Sequence, residues 1–92
     1  MEFVFAKRED TPVILQFIRE LADYEKMLDQ VVADIPTLEH WLFDLKKAEV
    51  IFAVEDGVKV GFALFFHNFS TFLGRAGVYL EDLYVKPEYR GK

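Results

Sequence analysis

The sequence predicts an α+β domain in which a small antiparallel sheet carries two helices, and two observations lead there. Two stretches, Ile14-Phe17-Ile18-Leu21 and Leu38-Trp41-Leu42-Leu45, repeat apolar residues at helical spacing. Four short runs rich in Val, Ile, Phe and Tyr are too brief for helices and are bounded by turn residues. The predicted order is strand, helix, helix, strand, strand, strand, with the last three strands joined as a meander and the helices laid over it.

The elements follow in turn. Residues 2–8 alternate, with Phe3 and Phe5 set against Val4 and Ala6, and read as a strand. Asp10 suits a helix N-cap and Pro12 its first turn, where a missing N–H costs nothing. The helix that follows, of about four turns, turns Gln16, Arg19, Glu20 and Asp23 away from its apolar stripe. Asp34 and Thr37 compete to cap the second helix, whose spacing puts Trp41 in the core. Val50 to Glu55 is a strand, Asp56-Gly57 the dipeptide that a tight hairpin favours, and Val58 to about Phe66 the returning strand. The unbroken Gly61-Phe62-Ala63-Leu64-Phe65-Phe66 points to burial on both faces. Asn68 to Gly77 reads as a loop punctuated by Gly74 and Gly77, and Val78 to Val85 as a last strand stopped by Pro87.

Composition bounds the function. With 92 residues there is room for one small domain, and 52% hydrophobic with 29% charged residues fits a globular chain. A net charge of −5 argues against nucleic acid as the ligand, since phosphate binding wants a basic patch. There is no cysteine, so no disulfide, thiolate nucleophile or cysteine-based metal site, and the composition allows the cytoplasm. The first residues lack the order of a signal peptide, and no apolar run reaches the roughly 18 residues of a membrane span. His40 and His67 have no partners at metal-ligand spacing and read as structural or surface residues; no metal site is expected. Phe62, Phe65 and Phe66 read as core rather than as a stacking platform.

Chemistry concentrates at the end of the chain. Glu81 and Asp82 interrupt the apolar strand Val78 to Val85. Neighbours on a strand point to opposite faces unless a bulge intervenes, so at least one carboxylate should meet an apolar layer. Such a group has its pKa raised by desolvation and becomes a candidate general base. A solvated rim or pairing with Lys or Arg would satisfy the same residues.

The strand and the segment Val85-Lys86-Pro87-Glu88-Tyr89-Arg90-Gly91-Lys92 resemble the fourth strand and acetyl-CoA loop of the GCN5-related N-acetyltransferases, the GNAT superfamily. Arg90, Gly91 and Lys92 match the first three positions of the loop pattern Gln/Arg-x-x-Gly-x-Gly/Ala. Upstream, Glu20 to Met27, Asp29 to Val31, Val60 to Ala63 and Tyr79 to Val85 resemble the diamine and spermidine/spermine acetyltransferase branch. The resemblance implies the N-terminal half of the acyl-CoA N-acyltransferase fold, with residues 1–92 belonging to a single acetyltransferase domain cut within its pyrophosphate loop. It implies acetyl-CoA as co-substrate, Glu81 as the water-linked proton acceptor, and Leu83, Tyr84, Val85, Arg90, Gly91 and Lys92 on the cofactor. It also implies Tyr24, Glu25 and Asp82 on a small cationic amine. Phe69, Phe72 and Leu73 stand where the polyamine enzymes carry an acidic residue and a Trp, so a polyamine, a diamine and a lysine analogue all remain open as acceptors. The general-acid Tyr of the family has no counterpart in these residues, so this chain alone is expected to be inactive. An apolar strand 78–85 left at a sheet edge is a template for pairing, from which a homodimer is expected. Neither nucleic acid nor membrane is an expected partner; the rival reading is a self-associating or acyl-CoA-binding module without turnover.

Overall fold

The computed structural model describes residues 1–90. Its strands are β1 (Glu2–Phe5), β2 (Glu49–Glu55), β3 (Val58–Ser70) and β4 (Arg75–Val85), which form one antiparallel sheet in the order β1-β2-β3-β4. Between β1 and β2 run α1 (Thr11–Tyr24) and α2 (Ile35–Glu39), the latter continuing as wide π-type turns over His40–Asp44.

Helix α1 begins as its sequence dictates, with Pro12 in the first turn. Asp10 occupies the N-cap position, but its carboxylate turns back to accept the Lys7 N–H at 2.8 Å and caps no N–H of α1. The apolar stripe lands on the sheet: Ile14 and Phe17 are buried with Val50, Phe52, Phe62 and Tyr84 in one cluster, with Ile18 and Leu21 against its margin. Phe17 is its centre, with ring centroids 5.5 Å from Phe62, 6.0 Å from Phe52 and 6.3 Å from Tyr84. Such ring pairs contribute beyond their buried area.

In α2, Asp34 wins the competition for the cap and accepts the Thr37 N–H at 2.9 Å. Leu45 N–H then reaches back five residues to the His40 carbonyl. The wider turn rotates the positions that follow around the axis. Leu42 therefore faces the core, whereas Trp41, expected there, is 50% exposed.

Asp56 and Gly57 both take positive φ, 51° and 78°, the left-handed pair that a two-residue hairpin turn requires. The second hairpin is longer than the sequence suggested. β3 runs to Ser70 and β4 starts at Arg75, so most of the expected loop 68–77 is paired strand, with Asn68 opposite Gly77 and Phe69 opposite Ala76. A short turn suffices because Gly74, at φ 67°, donates its N–H to the Ser70 carbonyl while the Ser70 hydroxyl accepts the Leu73 N–H. Gly77 is thus a strand residue and not punctuation.

The expected burial of Gly61 to Phe66 on both faces holds only at Gly61 and Phe62; Ala63 to Phe66 are part-buried. Both helices lie on one face. The other carries Phe3, Phe5, Leu80 and Leu83, each more than half exposed.

Candidate active site

The carboxylates of β4 are sorted by a bulge. Leu64 pairs with Asp82 and Phe65 with Leu80, leaving Glu81 as the extra residue. A bulge bends its strand and re-aims the side chains on either side. Asp82 stays in register with Tyr84 on the helix-covered face and is half-buried, while Glu81 is exposed. The Asp82 carboxyl is pushed above the usual carboxylate range, chiefly by burial, then by the charges of Glu81 and Glu25. The expectation that one of the pair meets an apolar layer is met by Asp82, and desolvation falls there rather than on Glu81.

Glu25 arrives from the end of α1, which also delivers Tyr24. Helix and strand thus meet with Glu25 and Glu81 both within electrostatic reach of Asp82. Beside them, the Arg90 guanidinium stacks 4.6 Å from the Tyr24 ring centroid and 5.4 Å from that of Tyr84. Its Nε donates to the Val85 carbonyl at 2.7 Å, which fixes the turn Pro87–Tyr89 against the end of β4. Stacking on a ring face is a favourable place for a guanidinium. No carboxylate among the described residues pairs with it.

The structure therefore gathers Tyr24, Glu25, Glu81, Asp82, Tyr84, Val85 and Arg90 at one end of β4. Leu83, on the opposite face, is 62% exposed. Tyr84 is a core residue, 6% exposed, and its phenol is pushed up by burial first and by Glu20 second. Gly91 and Lys92 lie outside the described residues. His40 and His67 are exposed partners of Asp44 and Glu49.

Two features escaped the sequence. The Lys86 ammonium lies 3.3 Å from both Glu20 oxygens and 5.6 Å above Phe17, tying the end of β4 to α1. Gly61 lets β3 and β4 approach so closely that a Cβ there would lie 2.6 Å from the Tyr84 carbonyl oxygen. The glycine is visible in the sequence; the register that sets it opposite Val85 is not.

On its outer side β4 has no neighbouring strand among the described residues, so the alternate backbone groups, those of Leu83 and Val85, face outward, with the Val85 carbonyl already accepting from Arg90 Nε. That donor and acceptor set suits an amide-rich chain such as pantetheine, and the Arg90 cation suits a phosphate. The residues fit a coenzyme A thioester.

Comparison with known proteins places this α+β sheet and its bulged strand β4. Residues 14–92 match the acetyltransferase (GNAT) family, and the chain belongs to that family. It is 43% identical over 96 residues to the thialysine N-ε-acetyltransferase of Sus scrofa, covering 95% of this chain and 56% of that protein. It is 35% identical over 94 residues to a human spermidine/spermine N(1)-acetyltransferase-like protein 1, covering 94% of this chain and 13% of the relative. Among solved structures it superposes on a ribosomal-protein-alanine N-acetyltransferase from Brucella melitensis with a TM-score of 0.77 and 25% identity, over 99% of this chain and 60% of that one. The chain spans about half the length of the thialysine acetyltransferases it matches. No helix among the described residues is long and apolar enough to cross a membrane.

Proposed function

We propose that these residues form the N-terminal part of a single acetyltransferase domain that moves an acetyl group from acetyl-CoA to a primary amine of a small cationic acceptor. The observation that carries this reading is the convergence of Glu25, Glu81 and Asp82 at the open strand β4. Three carboxylates at one mouth attract and concentrate a cation. A lysine analogue is the acceptor class favoured by the likeness to thialysine acetyltransferases, with diamines and polyamines next.

An alkyl ammonium, with a pKa of about 10.4, must lose a proton before its nitrogen can attack a carbonyl. Glu81, exposed on the bulge, receives that proton through water. Asp82 and Glu25 hold the substrate's charge, and Tyr24 packs beside it. When bound, acetyl-CoA supplies an acetyl group already activated as a thioester. The outward backbone of Leu83 and Val85 and the Arg90 guanidinium hold and orient it. The absence of cysteine suits the reducing cytoplasm. Residues 1–92, which span about half the length of the thialysine acetyltransferases they match, should show no turnover by themselves.

The test is release of free CoA by the full reading frame and by its Glu81→Gln form. The substitution should lower the rate about 100-fold, most strongly at low pH where the amine is fully protonated. Equal rates at all pH values would remove Glu81 from the reaction.

A second reading rests on the outer edge of β4, where Val78, Tyr79, Leu80 and Leu83 are all at least half exposed. An unpaired apolar edge favours strand pairing between two copies. A sedimentation profile that stays monomeric at high concentration would exclude it.

A further inference from the structure

At the end of the sheet where β1 finishes and β2 begins, a half-open cavity of about 500 Å³ lies beneath the end of α2. Its size is that of a small-molecule site. Its walls are mainly apolar, with Leu42, Phe43, Val50 and Phe66 among the lining residues. Its rim is cationic. Lys46 and Lys47 both line it, and neither has an acidic partner within ion-pair distance among the described residues. The backbone sets them there: Lys46 takes φ 53°, a conformation that L residues seldom adopt, and Lys47 donates its N–H to the Trp41 carbonyl at 2.9 Å. Lysines after a helix C-terminus complement its carbonyl end. That accounts for cations at the position; it does not account for an apolar cavity under them.

One carboxylate shares the rim, Glu49, and it is held by His67 at 3.0 Å. With two lysines and one glutamate, the rim carries one net positive charge. None of the residues gathered around Asp82 lines the cavity. The two places also differ in sign, since Asp82 sits among acids.

We infer that this cavity is a second binding site, which takes a small organic monoanion with an apolar body, such as an arylalkyl or medium-chain carboxylate. The body fills the space between Phe43, Val50 and Phe66, and the carboxylate meets Lys46 and Lys47. The site stands independently of the acetyl-transfer reading.

The probe is 4-phenylbutyrate, titrated into the protein with backbone amide shifts as the readout. Its neutral isostere 4-phenylbutanol and the cation 4-phenylbutylamine are run in parallel. The acid should bind saturably with a Kd in the low-millimolar range or tighter. The shifts should centre on residues 46–50 and Phe66, with the alcohol about tenfold weaker and the amine weaker still. The double variant Lys46→Asn, Lys47→Gln removes both charges while keeping a residue that tolerates left-handed backbone at position 46. It should bring the affinity for the acid down to that for the alcohol. Three results would each overturn the inference: no saturable binding up to about 10 mM, an alcohol that binds as well as the acid, or shifts centred on Phe3, Leu80 and Leu83 on the open sheet face.

Discussion

Gly61→Ala tests how β4 is positioned. The new Cβ would lie 2.6 Å from the Tyr84 carbonyl oxygen, 3.1 Å from Val85 Cα and 3.2 Å from Val85 Cγ2. Two of these three contacts are backbone, which cannot swing aside as a side-chain tip can. Ordinary contact begins near 3.4 Å, so the strand would have to move by about 0.8 Å at Tyr84. Neighbouring contacts resist that shift: Lys86 N–H bonds the Val60 carbonyl at 2.8 Å, and Tyr84 packs in the core against Phe17. Overpacking of this kind costs about 1–3 kcal/mol. The lower entropy of an unfolded alanine chain offsets up to about 1 kcal/mol. The net expectation is a loss of about 1–2 kcal/mol, read in urea unfolding as a midpoint lower by about 1 M. Gly77→Ala is the control, because its Cβ would meet only the Asn68 side-chain oxygen, at 3.0 Å. A Gly61→Ala midpoint no lower than that of Gly77→Ala would refute the close-approach argument.

Other expectations follow from single contacts. Asp34→Ala removes the α2 cap and should cost about 1 kcal/mol in the same unfolding assay. A double-mutant cycle on Glu20→Gln and Lys86→Met should give a coupling of about 0.5–1 kcal/mol that shrinks with salt, since the pair is only part-buried. Asp82 has a raised pKa in the folded state, so the fold holds its proton more firmly than the unfolded chain does. Its contribution is fully present below the ordinary carboxylate value of about 3.9 and is lost as pH rises through the raised value. Asp82→Asn should therefore melt higher than the parent at pH 7 and level with it near pH 3, in thermal scans across that range. The same variant should raise the KM for a cationic amine more than it lowers kcat.

The helices were legible because Ile14, Phe17, Ile18 and Leu21 repeat at a spacing that only one face of a helix can bury. The Asp56-Gly57 turn was legible because its residues carry their own conformation. Trp41 was misplaced because the spacing rule assumes uniform turns, and the wide turn at His40–Asp44 breaks that assumption with no special residue to signal it. The long β3–β4 hairpin was hidden because Asn68 and Gly77 resemble loop residues taken singly, and only their pairing across the sheet makes them strand. At the site, the adjacent carboxylates were visible and a bulge was one of two ways to arrange them. Which carboxylate would be desolvated depended on a register between β3 and β4 that neither strand encodes alone. The Lys86–Glu20 contact links residues 66 apart and leaves no local pattern.

The most direct measurement is release of free CoA from acetyl-CoA with thialysine, spermidine and a diamine offered in parallel, on this chain and on its full reading frame. Turnover by the full frame with a cationic amine, and none by residues 1–92, is the expected result. No turnover by either with any of the three amines would contradict the account and favour a binding module built on the same fold.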